Sequence, residues 1–335
     1  MEILVTGGAG YIGSHAVKAL AEAGYTPIVL DNLSQGHRES VRQGVFYQGE
    51  LGDTALLKKI FTRHDIEAVM HFAALALIGE SISEPAEYYE NNVIQTFRFL
   101  KEMVKHDVKN FIFSSTCAVY GIPEEIPIPE EHLRAPVNPY GKTKLAVEYM
   151  LEDFSRAYNI KYVFLRYFNA AGADYRAGIG EDHSPETHLI PIVLDAAIGR
   201  RKKVNVFGTD YPTRDGTCIR DYIHVTDLAQ AHVLAAKYLK EDRESGAFNL
   251  GVGQGFSVRE VIDVAEEVTG KKISVSEAHR RKGDPPVLIA DSTRAINVLR
   301  WKPEYSSLED IISSAWEWHK RRFRCEVNQE KPYVH

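Results

Sequence analysis

Residues 1–15 read M-E-I-L-V-T-G-G-A-G-Y-I-G-S-H, and this stretch decides the fold. Met1–Thr6 is a short apolar run rich in residues that favour strands, which predicts a buried strand. Gly7, Gly10 and Gly13 follow at a G-x-x-G-x-x-G spacing. Such glycines provide a tight turn, close backbone approach to a pyrophosphate and close packing of a helix on the strand. A helix is predicted to follow directly, with its first amides free to hold phosphates.

An acidic residue ends the second predicted strand. Thr26–Leu30 runs into Asp31, eighteen residues beyond Gly13. A carboxylate at this place binds the adenosine ribose 2′-hydroxyl and repels a 2′-phosphate, which favours NAD over NADP. A P-loop is excluded because Gly13 is followed by Ser14 and not by a lysine. Strand, glycine turn, helix, strand and acid therefore predict a dinucleotide site.

The order of elements predicts the domain organisation. Strands and helices alternate through the first half of the chain, which is typical of a doubly wound parallel α/β sheet of the Rossmann type. After Asp174 glycine and proline become frequent, which suggests a second, smaller and less regular α/β domain. The expected parts are an NAD-binding domain at 1–173, a segment at about 219–250 that packs back against it, a substrate domain at 174–323, and a poorly ordered tail at 324–335.

Tyr140 and Lys144 stand four residues apart in the run N-P-Y-G-K-T-K. On a helix they share one face, where a lysine ammonium lowers the pKa of a phenol from about 10 toward neutrality. Such a tyrosine can take a proton from a sugar hydroxyl while a nicotinamide takes the hydride. Thr116, at the end of a predicted buried strand, could bond the same hydroxyl. The alternatives are a surface pair for Tyr140 and Lys144, and a cap of the strand end for Thr116.

Composition excludes several classes of function. With 46 acidic and 40 basic residues among 335, the net charge is −6, so no nucleic-acid partner is expected. The longest apolar run, at 68–78, is too short to cross a bilayer. Three cysteines without metal-type spacing favour a reduced, cytoplasmic protein. His183 and His188 lie in a proline-containing loop without an evident third ligand, so no metal is expected.

Further motifs occur in order along the chain: L-D-N-L, F-I-F-S-S-T, R-Y-F-N-A-A-G, D-Y-P-T-R-D-G-T-C-I-R-D-Y-I-H-V and R-R-K-G-D. Together with the glycine turn and N-P-Y-G-K-T-K, they resemble those of the UDP-glucose 4-epimerases in the extended short-chain dehydrogenase/reductase superfamily. The resemblance covers Met1 to about Phe323.

The resemblance implies roles for individual residues. Tyr140 would be the catalytic base and later acid, Lys144 would hold the nicotinamide ribose, and Thr116 would bridge the sugar O4 and the phenol. The implied NAD-binding residues also include Gly7, Gly10, Tyr11, Ile12, Gly13, Asp31, Asn32, Glu50, Leu51, Phe72, Ala73, Asn91 and Phe168. The implied UDP-sugar residues are Asn169, His188, Leu189, Asn205, Phe207, Arg220, Arg281, Asp284 and Leu288.

The same resemblance implies a reaction and an assembly. Oxidation at C4 would give a bound 4-keto sugar, which rotates and is reduced on its other face, so that NAD is regenerated in each turnover. A homodimer is expected through the helices predicted at Asn92–His106 and Thr143–Tyr158, where an apolar stripe indicates core or interface. Leu288 stands where relatives confined to plain hexoses tend to carry an aromatic, which suggests use of N-acetylhexosamines as well.

Three departures from the family pattern are visible. Glu50 replaces a frequent aspartate near the adenine, Ala76 a frequent lysine near the cofactor phosphates, and His188 an asparagine at the UDP. The first two predict weaker retention of NAD.

Three alternatives remain open. A 4,6-dehydratase would need an Asp-Glu pair directly after Thr116, where this chain has Cys117 and Ala118. A UDP-glucuronate epimerase or decarboxylase fits the late motifs less well. A non-catalytic dinucleotide-binding regulator on the same fold would commonly lose the tyrosine or the lysine.

Overall fold

The computed structural model describes residues 1–281 and 283–329, except for the side chains of 324–329. The strands are β1 (Glu2–Thr6), β2 (Thr26–Asp31), β3 (Val45–Gln48), β4 (Ile66–His71), β5 (Asn110–Thr116), β6 (Lys161–Tyr167), β7 (Asn169–Ala171), β8 (Val204–Phe207), β9 (Ile219–His224), β10 (Gly246–Leu250), β11 (Gly255–Ser257), β12 (Val275–Ala278) and β13 (Val287–Leu288). The helices are α1 (Tyr11–Glu22), α2 (Thr54–Arg63), α3 (Ile78–Ser83), α4 (Pro85–Tyr89), α5 (Gln95–Lys105), α6 (Pro139–Tyr158), α7 (Leu189–Ile198), α8 (Val225–Lys240), α9 (Val258–Thr269) and α10 (Leu308–Gln329).

Seven parallel strands form the central sheet, in the order β10-β6-β5-β4-β1-β2-β3. This confirms the predicted doubly wound α/β fold. The strand order reverses between β1 and β4, and ligands bind at the carboxyl ends of the strands at such a point. The glycine turn follows β1 there, and Phe72 and Thr116 lie at the same edge, at the ends of β4 and β5.

Two apolar layers cover the sheet. Ile3 and Val5 of β1 pack in the layer that also contains residues of α1 and α8, and Leu4 packs in the layer with α2, α5 and α6. A strand buried on both faces needs apolar residues at every position, which explains the unbroken apolar run at the N-terminus. In the apolar stripe of α6, Val147 and Leu151 are buried in the second layer, so that part of the stripe is core.

The second lobe contains more regular structure than its glycines and prolines suggested. Helices α7, α9 and α10 pack around a third apolar core with β8 and β9. A small sheet combines β11, β9 and β13, with β7 on the other side of β9, and β12 pairs with β8. The strand β10 returns to the edge of the central sheet, beside β6. The exact domain boundaries stay a prediction.

Helix α10 extends to Gln329. Residues 324–329 are therefore helical, where the lack of periodicity suggested a poorly ordered tail, and 330–335 lie outside the described residues. Among the helices described within 1–281 and 283–329, none combines the length and the apolar character needed to cross a bilayer.

Candidate active site

The glycine turn after β1 is shaped for close backbone approach. Gly7 has φ of +72°, and a Cβ there would lie 2.5 Å from the Ala73 nitrogen. A Cβ on Gly13 would lie 2.1 Å from the Gly7 carbonyl oxygen. Gly10 precedes α1 and provides no side-chain cap, so the first amides of the helix are left for an anionic ligand. The helix begins at Tyr11, because the Ser14 nitrogen already donates to the Gly10 carbonyl at 2.9 Å.

Asp31 holds this turn in place from the end of β2. Its carboxylate accepts hydrogen bonds from the Ala9 nitrogen at 2.9 Å and the Leu33 nitrogen at 2.8 Å. Each oxygen keeps a further lone pair for a ribose hydroxyl. Beside it, the amide of Asn32 donates to Glu50 at 3.1 Å. Asn32 and Glu50 are thus joined by a hydrogen bond directly beside Asp31.

Tyr140 and Lys144 lie in the first turns of α6, facing β5. The helix starts at Pro139 and is capped by Asn138, which accepts a hydrogen bond from the Gly141 nitrogen at 2.8 Å. Lys144 is buried and its ammonium donates to the Ser114 carbonyl at 2.9 Å. The Lys144 nitrogen lies 6.0 Å from the centroid of the Tyr140 ring. The predicted pair is therefore assembled inside the protein, not on a solvated helix face.

The expected lowering of the phenol pKa is not found in the protein by itself. Burial raises the pKa of Tyr140 well above its ordinary value. Burial also lowers the pKa of Lys144 to about 7. A low-dielectric environment disfavours both charges, and the lysine bonds a carbonyl at some distance from the phenol. In the protein by itself, burial thus disfavours both the phenolate and the ammonium.

Thr116 is the last residue of β5, and its predicted capping role is observed, whereas its bond to a substrate hydroxyl stays a prediction. Its hydroxyl accepts a hydrogen bond from the Ala118 nitrogen at 3.1 Å and so caps the turn after the strand. The Thr116 hydroxyl also acts on the phenol of Tyr140, where it opposes the effect of burial on the tyrosine pKa. The strand runs to Thr116, which still pairs with Tyr167 of β6.

Only some of the predicted substrate residues are in contact with one another. Arg220 is ion-paired with Asp284 and donates to the Pro285 carbonyl at 2.8 Å. Leu288 pairs with Arg220 across β13 and β9. The guanidinium of Arg281 lies 4.2 Å from the centroid of the Phe207 ring.

The other predicted substrate residues lie on neighbouring elements: β7 pairs with β9, which carries Arg220, and β8 carries both Asn205 and Phe207. Asn169 begins β7 beside Phe168, and His188 directly precedes Leu189, the first residue of α7. Asn205 is exposed on β8, where its side chain accepts a hydrogen bond from Ser276 at 2.7 Å.

Comparison with known proteins identifies the family. The model of the NAD dependent epimerase/dehydratase family matches residues 3–251. The chain belongs to this family.

Individual relatives match over most of their length. The UDP-glucose 4-epimerase of Halalkalibacterium halodurans is 58% identical over 96% of this chain and 96% of its own. The structure of UDP-glucose 4-epimerase from Brucella ovis in complex with NAD superimposes with a TM-score of 0.92, at 50% identity, over 94% of this chain and 97% of its own. That of the UDP-Glc/GlcNAc 4-epimerase from Campylobacter jejuni gives a TM-score of 0.84, at 43% identity, over 96% of this chain and 99% of its own.

In this member of the epimerase/dehydratase family, Asn92 organises the site although the family pattern pointed to Asn91. Asn92 is buried, accepts from the Leu75 nitrogen at 2.8 Å and donates to the Leu75 carbonyl at 3.0 Å. It also donates to the Thr143 hydroxyl at 3.1 Å, which joins the loop after β4 to α6. Asn91 in turn donates to Asn92 at 2.9 Å. The sequence alone does not show which of these two adjacent asparagines faces inward.

His183 and His188 have more partners than the sequence indicated. Glu181 and Glu186 lie beside both imidazoles, so the two histidines do share further potential metal ligands. Although burial acts in the opposite direction, the two carboxylates raise the pKa of His183 to about 9 and that of His188 to about 10. His188 is thus held by carboxylates at the start of α7, next to the predicted substrate site.

Proposed function

We propose that this chain interconverts UDP-galactose and UDP-glucose by epimerisation at C4, with NAD as a bound cofactor. The observation that carries the proposal is the buried Tyr140, Lys144 and Thr116 cluster at the strand edge that also holds the glycine turn. Relatives that match nearly the whole chain are named UDP-glucose 4-epimerases. A tyrosine and a lysine beside a dinucleotide turn suit oxidation of a sugar hydroxyl.

The residues around the turn fit NAD. The uncapped first turn of α1 suits a pyrophosphate, and Gly7 and Gly13 allow the tight backbone packing that shapes the turn before it. Asp31 and Asn32 would bind the adenosine ribose, with Glu50 beside them. The remaining proposed contacts are Gly10, Tyr11, Ile12, Leu51, Phe72, Ala73, Asn91, Tyr140, Lys144 and Phe168. When bound, NAD supplies the acceptor and donor of the C4 hydride and, in its oxidised form, a positive charge.

Tyr140 would take the proton of the 4-hydroxyl and later return it to O4 after the sugar has turned. One phenol can fill both roles, because the proton that it takes in the first half-reaction is the one that it returns in the second. Lys144 in its protonated form would favour the phenolate. Thr116 would orient the hydroxyl between sugar and phenol.

The UDP moiety would bind across the second lobe. Arg220, fixed by Asp284, and Arg281 over Phe207 would face the diphosphate, since guanidinium groups match phosphate geometry. Asn169, His188, Leu189 and Asn205 are the further proposed contacts. Binding energy from UDP, remote from C4, would allow the sugar itself to be held loosely enough to rotate.

N-acetylhexosamines are a second proposed substrate class. Leu288 packs with the apolar cluster that contains Phe168 and lacks an aromatic ring, so it would leave room beside the sugar C2. The C. jejuni relative is named a UDP-Glc/GlcNAc 4-epimerase.

A homodimer is also proposed, through the helices predicted for it at Asn92–His106 and Thr143–Tyr158. The core holds Val147 and Leu151, but Ile94, Phe97, Tyr149 and Tyr158 expose apolar surface on and around the same helices. Such a cluster is suited to an interface between two copies.

The deciding experiment supplies UDP-galactose alone to the purified protein. We expect chromatographic detection of UDP-glucose without added nucleotide and release of NAD, not NADP, on acid treatment. Tyr140→Phe should slow turnover by about 10²–10⁴-fold with UDP-sugar binding nearly intact. Tyr158→Phe, at the exposed end of the same helix, is the matched control and should be active.

The outcomes separate the alternatives. A protein that binds NAD but leaves UDP-galactose unchanged would be a regulator. Loss of water from the sugar would indicate a dehydratase, and turnover of UDP-glucuronate alone would indicate that class of epimerase. Near-normal turnover by folded Tyr140→Phe would remove Tyr140 from its proposed role.

A further inference from the structure

The loop before α7 brings two carboxylates and two imidazoles together. One potential ligand atom from each of Glu181, His183, Glu186 and His188 lies within 4.8 Å of all the others. The His188 Nδ1 atom is 2.7 Å from Glu181 Oε1 and 3.1 Å from Glu186 Oε1. The His183 Nδ1 atom is 3.3 Å from Glu181 Oε1 and 3.7 Å from Glu186 Oε2. Each Nδ1 atom thus faces both carboxylates.

We propose that these four side chains form a structural Zn²⁺ site, with the two Nδ1 atoms and one oxygen of each glutamate as ligands. In tetrahedral zinc sites the bonds to nitrogen and oxygen are about 2.0–2.2 Å, which places the ligand atoms about 3.3–3.5 Å apart. The distances from the two Nδ1 atoms to the nearest carboxylate oxygens lie between 2.7 and 3.7 Å and bracket that value. Glu181 offers the same oxygen to both imidazoles, whereas Glu186 faces His188 with Oε1 and His183 with Oε2, so its carboxylate would turn to place one oxygen on the ion. Two imidazole ligands favour zinc over magnesium or calcium, which prefer oxygen.

A second observation concerns His183. Its Nδ1 atom is buried and makes no well-directed hydrogen bond, although both carboxylates are near. A buried polar atom without a partner needs an explanation, and a bound ion is one. Because two carboxylates neutralise one divalent cation, zinc could replace two imidazolium protons without changing the net charge of the cluster. The metal-free alternative is a network of two imidazolium–carboxylate pairs.

The position of the cluster suggests what the ion does. The ring of Tyr11, in the glycine turn, packs edge-on against the His183 ring with centroids 6.2 Å apart. His188 directly precedes α7, whose first residue is Leu189. Four protein ligands leave no open position, as in structural zinc sites. The ion would therefore fix the first turn of α7 relative to the glycine turn. Zinc binding itself does not depend on the proposed epimerase activity.

Metal content of untagged protein is the first test. After dialysis, we expect one zinc ion per chain by plasma mass spectrometry, or one-to-one uptake of Zn²⁺ in a competition titration with a chromophoric chelator. Protein that neither contains zinc nor takes it up at micromolar concentration would overturn the proposal and leave the imidazolium network. Stoichiometric binding of a different metal would overturn the assignment to zinc.

Variants locate the ion. His183→Ala and Glu186→Gln should lose stoichiometric zinc, whereas His279→Ala, which removes an exposed histidine elsewhere, should retain it. Glutamine at 186 can still accept the backbone hydrogen bonds of Thr187 and His188, so the turn of the loop is kept. Adding Zn²⁺ to chelator-treated protein should raise the melting temperature of wild type and His279→Ala but not of Glu186→Gln. Zinc retained by both cluster variants would place the ion elsewhere and refute the site.

A spectroscopic measurement on the wild type tests the site even if the variants fail to fold. Co²⁺ in place of zinc should give the intense visible absorption of a four-coordinate ion. Weak absorption typical of six-coordinate Co²⁺ would contradict the tetrahedral site.

Discussion

Glu148 anchors the helix that carries Tyr140 and Lys144, and its neutralisation offers a quantitative test of the site's framework. Its side chain is fully buried and receives Arg166 Nε at 2.9 Å, Arg166 Nη2 at 2.7 Å and the Ser115 hydroxyl at 2.7 Å. Arg134 adds a further contact at 3.1 Å. The carboxylate thereby joins α6 to β5 and β6, one turn beyond Lys144.

Glu148→Gln should lower the free energy of unfolding by about 3–5 kcal/mol, because it leaves the buried Arg166 without its counterion and turns an amide N–H toward its donors. Glu152→Gln is the matched control. It removes the same charge from the same helix and also loses a contact with Arg134, at 2.9 Å, but its side chain is 22% exposed. Partly exposed pairs contribute only about 0.2–1 kcal/mol.

Urea unfolding followed by circular dichroism measures both variants, with equal slopes required for comparison. Replacing the pair together, as Glu148→Leu with Arg166→Met, should recover much of the loss since no unpaired charge remains. If Glu148→Gln is no more destabilising than Glu152→Gln, the buried pair does not anchor α6 and the reasoning is refuted.

Three further predictions concern pH, specificity and assembly. Burial lowers the pKa of His232 from 6.5 to about 4. As the pH falls between these two values, the unfolded chain binds a proton at this histidine but the folded protein does not, so the free energy of unfolding decreases. In His232→Leu, stability should therefore fall less between about pH 7 and about pH 5 than it does in His279→Ala. If the urea midpoint depends on pH in the same way in both variants, the prediction is wrong. Leu288→Tyr should reduce kcat/KM for UDP-N-acetylgalactosamine by about 10-fold or more relative to UDP-galactose; equal effects on both sugars would show that Leu288 is not the gate. Phe97→Glu should convert a dimer to monomers in light scattering while Leu133→Glu, also exposed, should not; a monomeric wild type would rule the interface out.

Local features of the sequence were sufficient for the fold and part of the site. The buried strand before Gly7 and the spacing to Gly13 are constraints within one supersecondary unit, where chain geometry alone decides what fits. The proximity of Tyr140 and Lys144 likewise follows from helix periodicity. The sequence predicted the apolar stripe of α6 but not whether it packs in the core or at an interface. Periodicity shows that a helix face is covered, but not which element covers it.

Sequence by itself therefore determined the doubly wound fold, the dinucleotide turn and the helix face that pairs a tyrosine with a lysine. Tertiary structure decided which groups are desolvated and which distant segments meet. It raised the pKa of the Tyr140 phenol and directed Lys144 to a backbone carbonyl. It also paired Arg166 with Glu148 and placed the carboxylates of Glu181 and Glu186 beside His183 and His188. The physical reason is that dielectric environment and long-range contacts depend on how whole layers pack, which no local pattern of residues encodes.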